Sequence, residues 1–322
     1  MEMQTETDRA DGTRRRPGRA RRMAWKAANG LSLGGLWPWP LQPGWLQRPQ
    51  LALPLRGLGE GFRGARLVHI SDLHCGPFVR DHFLCRCADE INALEPDFVV
   101  VTGDLVTVPR RRYTQRVAKV LSHLTPQIAT LAVLGNHDYG IWHPVMPSRW
   151  DAATDLTARL EDAGVIVLNN ESRDFFRSRA AVQFVGVEDL WCSRHDPARA
   201  FKYTRPGVPT VGLVHNPDAA PDMARRGAQW VLAGHTHAMP NRHNRFHGTI
   251  FPTRHRHFVA GRYALGDSNN LYVNAGLGPA RRFRSWQRPE ITVFALQPAR
   301  TGEPKPARRR GRSGAGARPR GQ

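Results

Sequence analysis

The chain has 322 residues, 40% of them hydrophobic, and a formal net charge of +20 at pH 7. This length and apolar content allow one substantial buried core, and they argue against two large domains. Eight of the basic residues lie in positions 300–322 against the single acid Glu303. Because this run has almost no apolar content, we expect residues 299–322 to form a disordered basic tail.

Residues 1–60 are predicted to be a basic, Trp- and Pro-rich N-terminal segment. Its tryptophans suit a membrane interface, but its prolines forbid a continuous spanning helix, so we expect peripheral contact at most. These residues are Trp37, Trp39 and Trp45, with Pro38, Pro40 and Pro43. Arg21–Lys26 loosely resembles a twin-arginine export signal, although the apolar stretch after it is short and rich in glycine. We therefore expect a cytoplasmic protein, peripheral at the inner membrane, with export as the lesser alternative.

Residues 61–298 are predicted to form a single α/β domain. Short apolar runs of strand length recur through it, and several are so uniformly apolar that both of their faces should be buried. The runs are 67–70, 98–101, 128–134, 165–168, 183–187, 210–214, 229–233, 271–274 and 291–295. Apolar residues at helical spacing lie between the first two runs and again before the third. The first half therefore predicts parallel βαβ units, and the denser strands that follow predict a second, mixed sheet.

Five of these runs are followed directly by residues that can bind a metal ion. They are Asp72 with His74, Asp104, Asn136 with His137, His215, and His235 with His237. Because open α/β sheets bind ligands at the carboxyl ends of their strands, we expect these side chains to meet at one edge.

The residue types suit the hydrolysis of phosphate esters. Two divalent ions about 3.5 to 4 Å apart can clamp phosphoryl oxygens and convert a shared water into hydroxide. Asp104 suits the bridging position, because a carboxylate has two oxygens and Gly103 lets the backbone approach closely. The two-residue spacing of Asp72 and His74 lets both side chains grip one ion. His235 and His237 have the same spacing, and imidazole favours zinc, iron or manganese over magnesium alone.

In this order the motifs resemble those of the calcineurin-like metallophosphoesterases, over about residues 66 to 298. The motifs are Asp72-Leu-His74, Gly103-Asp104, Gly135-Asn136-His137-Asp138, His215 and Gly234-His235-Thr236-His237. The resemblance implies a four-layer αββα sandwich, with two mixed sheets flanked by helices and a dimetal site at the strand ends. It implies that one metal is held by Asp72, His74, Asp104 and His237, and the other by Asp104, Asn136, His215 and His235. His137 would be the proton donor.

Further stretches resemble one branch of that family, the bacterial envelope-associated phosphodiesterases, which include enzymes of the UDP-2,3-diacylglucosamine hydrolase type. Among them are Phe184–Trp191, His215–Asp218 and Leu271–Gly278. The chain departs from the branch at Ala238-Met239-Pro240, where a Gly-Gly-Gln-like turn is expected, and at Ala275, where arginine is common. Both departures fall near the expected mouth of the site.

Three further residues are candidates for supporting positions. Asp138 could orient groups behind the ligands, since metal-site histidines usually donate their other nitrogen to a carboxylate or a carbonyl; ordinary turn chemistry is the alternative. Arg254 and Arg256 lie in a cationic stretch, 241–257, that follows the last ligand motif. We expect these arginines to meet an anionic group of the substrate, with a solvated loop as the alternative.

The sequence therefore predicts a dimetal-dependent hydrolase of phosphodiester or pyrophosphate bonds, with two manganese, iron or zinc ions as cofactors. Its partner would be a small-molecule or lipid-linked substrate, including nucleotide sugars. Two alternatives stay open. A nuclease is favoured by the basic charge, but that charge lies largely on the tails, so nucleic acid is not the expected partner. A non-catalytic metal-binding scaffold with basic tails is the other.

Overall fold

The computed structural model describes residues 46–79, 81–238, 257–266, 268–278 and 288–299, which form two six-stranded sheets with flanking helices. The strands are β1 (Gln50–Leu55), β2 (Arg66–Ile70), β3 (Phe98–Thr102), β4 (Ala129–Val133), β5 (Val165–Val167), β6 (Glu171–Arg177), β7 (Ala180–Gly186), β8 (Thr210–Leu213), β9 (Trp230–Ala233), β10 (Gly261–Leu265), β11 (Asn269–Val273) and β12 (Thr292–Pro298). The helices are α1 (Asp81–Asn92), α2 (Arg111–Leu121), α3 (Trp150–Asp162), α4 (Pro197–Phe201) and α5 (Ala220–Arg225).

The first sheet has the strand order β1-β12-β2-β3-β4-β5. From β2 to β5 each strand pairs in parallel with the next, and α1, α2 and α3 make the crossovers. Every residue of β3 and β4 is buried, as their apolar runs predicted. The sheet is mixed because β12 runs antiparallel to β2 and parallel to β1. The predicted βαβ units are confirmed.

The second sheet has the order β10-β11-β9-β8-β7-β6 and is also mixed. Its four inner strands are parallel, whereas β6 and β10 run antiparallel to their neighbours. Helices α4 and α5 cover one face through buried residues that include Ala200 and Met223. The predicted α/β class with two mixed sheets and flanking helices is confirmed.

One large apolar core joins the two sheets. Phe98 of the first sheet contacts Phe184 of the second, with 5.0 Å between ring centroids, and Trp230 contacts Phe294 at 5.9 Å. All four side chains are fully buried in the same cluster. Since aromatic side chains bury the largest apolar areas, this packing fixes how the sheets face each other. It therefore fixes which strand ends come together.

Nine strands fall where the apolar runs predicted them, and β1, β6 and β10 are additional. Strand β1 lies within the range 1–60 that we assigned to the N-terminal segment, so the first sheet extends back to Gln50. The domain boundaries themselves stay a proposal. Residues 1–45 and most of the tail lie outside the described residues, and so do the tryptophans and the arginine pair. Within the described ranges, no helix combines the length and the apolar character needed to cross a membrane.

Candidate metal centre

The predicted ligands meet at the carboxyl ends of five parallel strands. The loops after β2, β3 and β4 bring Asp72, His74, Asp104, Asn136 and His137, and the loops after β8 and β9 bring His215, His235 and His237. Six of the eight are buried, and His137 and His237 are partly exposed. The first sheet therefore supplies every oxygen ligand, and the second supplies only imidazoles.

One group of ligands contains Asp72, His74, Asp104 and His237, whose ligand atoms all lie within 4.8 Å of one another. His237 Nε2 is 3.0 Å from His74 Nε2 and 3.3 Å from Asp72 Oδ1. His74 Nε2 is 3.6 Å from Asp104 Oδ2. Two ligand atoms that are each about 2.1 Å from one ion and lie at right angles are about 3.0 Å apart, which matches the distance between the two nitrogens.

The other predicted group is Asp104, His215 and His235, with Asn136 as the fourth ligand expected from the sequence. His215 Nε2 is 3.3 Å from Asp104 Oδ1 and 3.2 Å from His235 Nδ1. Asp104 therefore presents Oδ1 to this group and Oδ2 to the other. Its position between the two groups is what a bridging carboxylate requires.

Hydrogen bonds on the far side of the ligands aim their free atoms into the centre. His215 Nδ1 lies 2.8 Å from the carbonyl oxygen of Thr102 and donates to it, which directs Nε2 toward the centre. Asn136 donates from Nδ2 to the carbonyl oxygen of Ile141 at 2.7 Å, so its Oδ1 points the other way. Asn136 Oδ1 and Asp72 Oδ1 are buried without a hydrogen-bond partner. Because buried polar atoms without partners are costly, these oxygens are suited to hold a cation.

Burial and mutual charge set the protonation of the centre. Burial lowers the pKa of His74 and of His235 well below the usual value, which keeps both imidazoles neutral. Burial alone would raise the pKa of Asp104, but His215, His137 and His74 outweigh it and hold that pKa well below the ordinary range. Burial would likewise lower the pKa of His215, but Asp104 outweighs it and raises that pKa. A metal ion held by His215 would therefore displace a proton.

The ligand loops hold an uncommon backbone conformation. Asp72, His74, Asp104, His235 and His237 all have positive φ, between 45° and 72°. Such residues cost on the order of 1 to 3 kcal/mol each and persist where the surrounding structure imposes them. Here the loops after β3 and β4 are in close contact. Gly135 lies so near Asp104 that a Cβ on Gly135 would be 2.4 Å from Asp104 Oδ1.

His137 lies beside both ligand groups without belonging to either. Its Nδ1 donates to the carbonyl oxygen of Thr107 at 2.9 Å, so Nε2 faces the centre, 4.0 Å from Asp104 Oδ2. Its backbone N–H donates to Asp104 Oδ1 at 2.9 Å. The side chain is partly exposed, as a group that exchanges protons with a substrate must be.

Asp138 is fully buried behind the ligands. Its carboxylate accepts hydrogen bonds from the backbone N–H groups of Leu105, Val106 and Gly135, at 2.9 to 3.2 Å. Burial and nearby Asp104 raise its pKa to about 7 despite these bonds. Asp138 therefore ties the loop after β3 to the loop after β4, whereas Arg254 and Arg256 lie outside the described residues.

Three residues near the ligands were not singled out from the sequence. The ring of Trp191 meets His235 edge-on at 4.9 Å, and the backbone N–H of Trp191 donates to Asp189 Oδ1 at 2.9 Å. Trp142 packs against His137 at 5.1 Å between ring centroids. For Trp142 the available signal was an aromatic residue in the loop after β4, a strand that leads to predicted ligands; Trp191 and Asp189 follow β7, which leads to none.

The donor set fits a pair of divalent ions. Each ligand group offers two oxygens and two nitrogens, and such mixed sets suit zinc, iron or manganese. The buried oxygens of Asp72 and Asn136 that lack a hydrogen-bond partner are available to hold these ions. The residues present can therefore hold the two ions that the sequence predicted.

Comparison with known proteins agrees with this geometry. A family model described as calcineurin-like phosphoesterase matches residues 65–239, more than half of the chain and nearly all of the ligand loops. The chain belongs to the calcineurin-like phosphoesterases. Proteins of this family typically use two divalent metals, and the chain is accordingly a metal-dependent phosphoric ester hydrolase.

Within the calcineurin-like phosphoesterases, several bacterial proteins resemble the chain over most of their length. The UDP-2,3-diacylglucosamine pyrophosphatase LpxG of Chlamydia trachomatis is 26% identical over 80% of this chain and 92% of its own. The metallophosphoesterase YkuE of Bacillus subtilis is 28% identical over 84% of this chain and 93% of its own. The phosphodiesterase YaeI of Escherichia coli is 26% identical over 79% of this chain and 90% of its own. The expected resemblance to the family and to this branch is confirmed.

Proposed function

We propose that this protein hydrolyses phosphodiester or pyrophosphate bonds of a lipid-linked or nucleotide-sugar substrate, using two bound divalent ions. The observation that carries the proposal is the position of Asp104, whose two oxygens face the two ligand groups. The names of the similar pyrophosphatase and phosphodiesterase support the bond type and the substrate class.

The roles of the residues follow from their contacts. Asp72, His74 and His237 would hold one ion, His215, His235 and Asn136 the other, and Asp104 both. When bound, the ions would polarise the phosphoryl oxygens and make hydroxide available at neutral pH. His137 is held by Thr107 through Nδ1 and would donate a proton from Nε2 to the leaving oxygen. Asp138 joins the loop that contains Asp104 to the loop that contains His137 through hydrogen bonds to the backbone of both.

The test uses the purified full chain loaded with manganese, zinc or iron. We expect about two metal ions per chain and metal-dependent hydrolysis of bis(4-nitrophenyl) phosphate. A panel of UDP-sugars, with and without acyl chains, then defines the substrate class. If the metal-loaded protein hydrolyses no diester and no pyrophosphate, the proposal is wrong, and a non-catalytic metal-binding scaffold becomes the better account.

The net charge of +20 favours a nuclease as the second candidate. Binding that depends on neutralising phosphates weakens steeply with salt. Cleavage of DNA by the same preparation, with a steep loss of activity between 50 and 200 mM salt, would support the nuclease. Retained hydrolysis of small diesters across that range supports the small-substrate enzyme.

A further inference from the structure

Exposed apolar side chains are concentrated beside His137. Six large hydrophobic residues are exposed among the described residues: Phe78, Trp142, Val145, Met146, Phe176 and Tyr203. Three of them lie on the single loop that follows His137 and ends at α3. Exposed apolar groups that gather next to a reactive centre indicate a binding surface, whereas scattered ones need no explanation.

Trp142 joins this loop to the catalytic machinery. Its ring lies 5.1 Å from the His137 ring at an angle of 49°, while 44% of the residue remains exposed to solvent. One part of the indole therefore covers the imidazole, and the rest is available to a ligand. Tryptophan combines a large rigid apolar area with a low entropic cost of ordering, which suits it to such a surface.

The backbone that presents Trp142 is fixed to a metal ligand. The preceding residue, Ile141, is fully buried, and its N–H donates to the carbonyl oxygen of Asn136 at 2.8 Å. Its own carbonyl oxygen accepts from Asn136 Nδ2 at 2.7 Å. Ile141 therefore holds Trp142 beside the centre and also orients the side-chain oxygen of Asn136.

Phe78 approaches the same side from the loop after β2. Thr107, which accepts the Nδ1 proton of His137, also packs against Gly76, where a Cβ would lie 2.6 Å from the Thr107 hydroxyl. Phe78 is two residues further along the chain and 40% exposed. Both loops that flank His137 therefore present apolar side chains to solvent.

We propose that Trp142, Val145, Met146 and Phe78 form an apolar rim that binds the leaving group of the substrate. The inference rests on the proposed function, in which His137 protonates the leaving oxygen, so the leaving group must lie on the His137 side. A leaving group with an extended hydrocarbon portion gains from this rim, because apolar area buried against it leaves water. Trp142 is then a residue that determines specificity for the leaving group.

The test compares three diesters that release a 4-nitrophenol. The first is methyl 4-nitrophenyl phosphate, the second has a hexyl chain on the leaving phenol ring, and the third has the hexyl chain on the group that stays with phosphorus. For the metal-loaded full chain we expect the leaving-side chain to raise kcat/KM about tenfold, as partial burial of a few methylenes would. The retained-side chain should have little effect.

Variants identify the residues that cause the gain in kcat/KM from the leaving-side chain. Trp142→Ala and Val145→Asp should bring the ratio between the second and first diesters close to one, and Trp142→Phe should keep most of it. Val145 is 84% exposed, so its replacement leaves the core intact. Phe176→Ala is the matched control, because Phe176 is 59% exposed but pairs with Ala181 near the start of β7, at the end opposite the ligands. It should retain the wild-type ratio.

Two outcomes would overturn the apolar rim alone. In the first, the wild-type protein hydrolyses the first and second diesters with nearly equal kcat/KM. In the second, both Trp142→Ala and Val145→Asp keep the ratio of kcat/KM that the wild type shows. No turnover of any of the three diesters by the metal-loaded wild type would overturn the proposed function, and the rim with it. The two failures are therefore distinguishable.

Discussion

The two sheets contribute differently to the metal centre. The first sheet supplies Asp72, Asp104 and Asn136, which are all the proposed oxygen ligands, and it supplies one proposed imidazole ligand, His74. The second sheet supplies His215, His235 and His237. A metal ion at either position therefore needs both sheets, and the aromatic core that holds the sheets together also sets the spacing of the ligands. Stability of the fold and assembly of the site therefore depend on the same contacts between the sheets.

The two sheets also meet through the backbone. The N–H of His235 donates to Asp72 Oδ2 at 3.0 Å, so the second-sheet loop binds one oxygen of a first-sheet ligand and leaves the other for a metal ion. The positive φ values occur on both sides of this contact. Because neither loop is in its most favourable conformation, each depends on the other for its shape.

The largest effect is expected from replacing Asp104, which lies between the two ligand groups. Asp104→Asn keeps the shape of the side chain but replaces one ligand oxygen by an amide nitrogen that cannot bind a cation. We expect loss of at least one metal ion per chain, and a fall in kcat/KM larger than the roughly 10- to 100-fold that loss of an outer partner costs. Metal analysis and diester hydrolysis measure both. Asp222→Asn, on α5 and paired with Arg225 and Arg226, is the control. A variant that kept two ions and wild-type activity would remove Asp104 from the bridging position.

His137→Ala should separate chemistry from metal binding. Because His137 belongs to neither ligand group, the variant should keep its metal content. Loss of a general acid costs about 10²- to 10⁴-fold, and the cost grows with the basicity of the leaving oxygen. We therefore expect a larger loss on a phenyl ester than on a 4-nitrophenyl ester of the same phosphate. An equal loss on both esters would argue against proton donation by His137.

The ligand residues and the inner strands could be predicted from the sequence because both carry strong local signals. Inner strands are buried on both faces, so β3 and β4 read as continuous apolar runs. The strands that the sequence did not reveal, β1, β6 and β10, are all at sheet edges. Edge strands face solvent and tolerate charges and proline. Strand β6 contains Glu171, Arg173, Asp174 and Arg177, and β1 contains Pro54.

Features that depend on contacts across the fold were not predictable. The unpartnered oxygen of Asn136 exists because Ile141 takes the amide nitrogen, and His215 turns Nε2 toward Asp104 because Thr102 takes Nδ1. The position of Trp142 against His137 has the same origin. Each follows from two loops meeting, which a one-dimensional pattern of apolar and polar residues does not encode.

Gly234→Ala should disturb the contact between the sheets. A Cβ at Gly234 would lie 1.8 Å from Ser71 Oγ and 2.5 Å from Asp72 Oδ2, so the loops must separate. We expect a loss of about 1 to 3 kcal/mol in the free energy of unfolding, as overpacking in a core costs, together with weaker metal binding. Gly212→Ala is the matched control, because its nearest neighbour is the flexible end of Met223 at 3.1 Å. If denaturant unfolding gave both variants the same stability, the close contact at Gly234 would not matter to the fold.

A smaller effect, on how the free energy of unfolding depends on pH, is expected from a buried acid behind the ligands. Asp138, on the first sheet, accepts three backbone N–H groups, whereas Asp189 Oδ2, on the second, is buried without a partner. Burial raises the pKa of Asp189 from 3.8 to about 6. Its protonated form therefore favours the folded state, and this contribution is complete below pH 3.8 and lost as pH rises through 6.

For the metal-free protein, the contribution of Asp189 to the free energy of unfolding should consequently fall from about pH 4 to about pH 7. Asp189→Asn should reduce that fall by about 2 kcal/mol, because an amide does not ionise. Denaturant unfolding in the presence of a chelator measures the slope. Asp222→Asn again serves as the control: Arg226 and Arg225 outweigh burial and lower the pKa of Asp222, so its contribution is lost only as pH falls. An unchanged slope in Asp189→Asn would show that burial does not raise the pKa of Asp189.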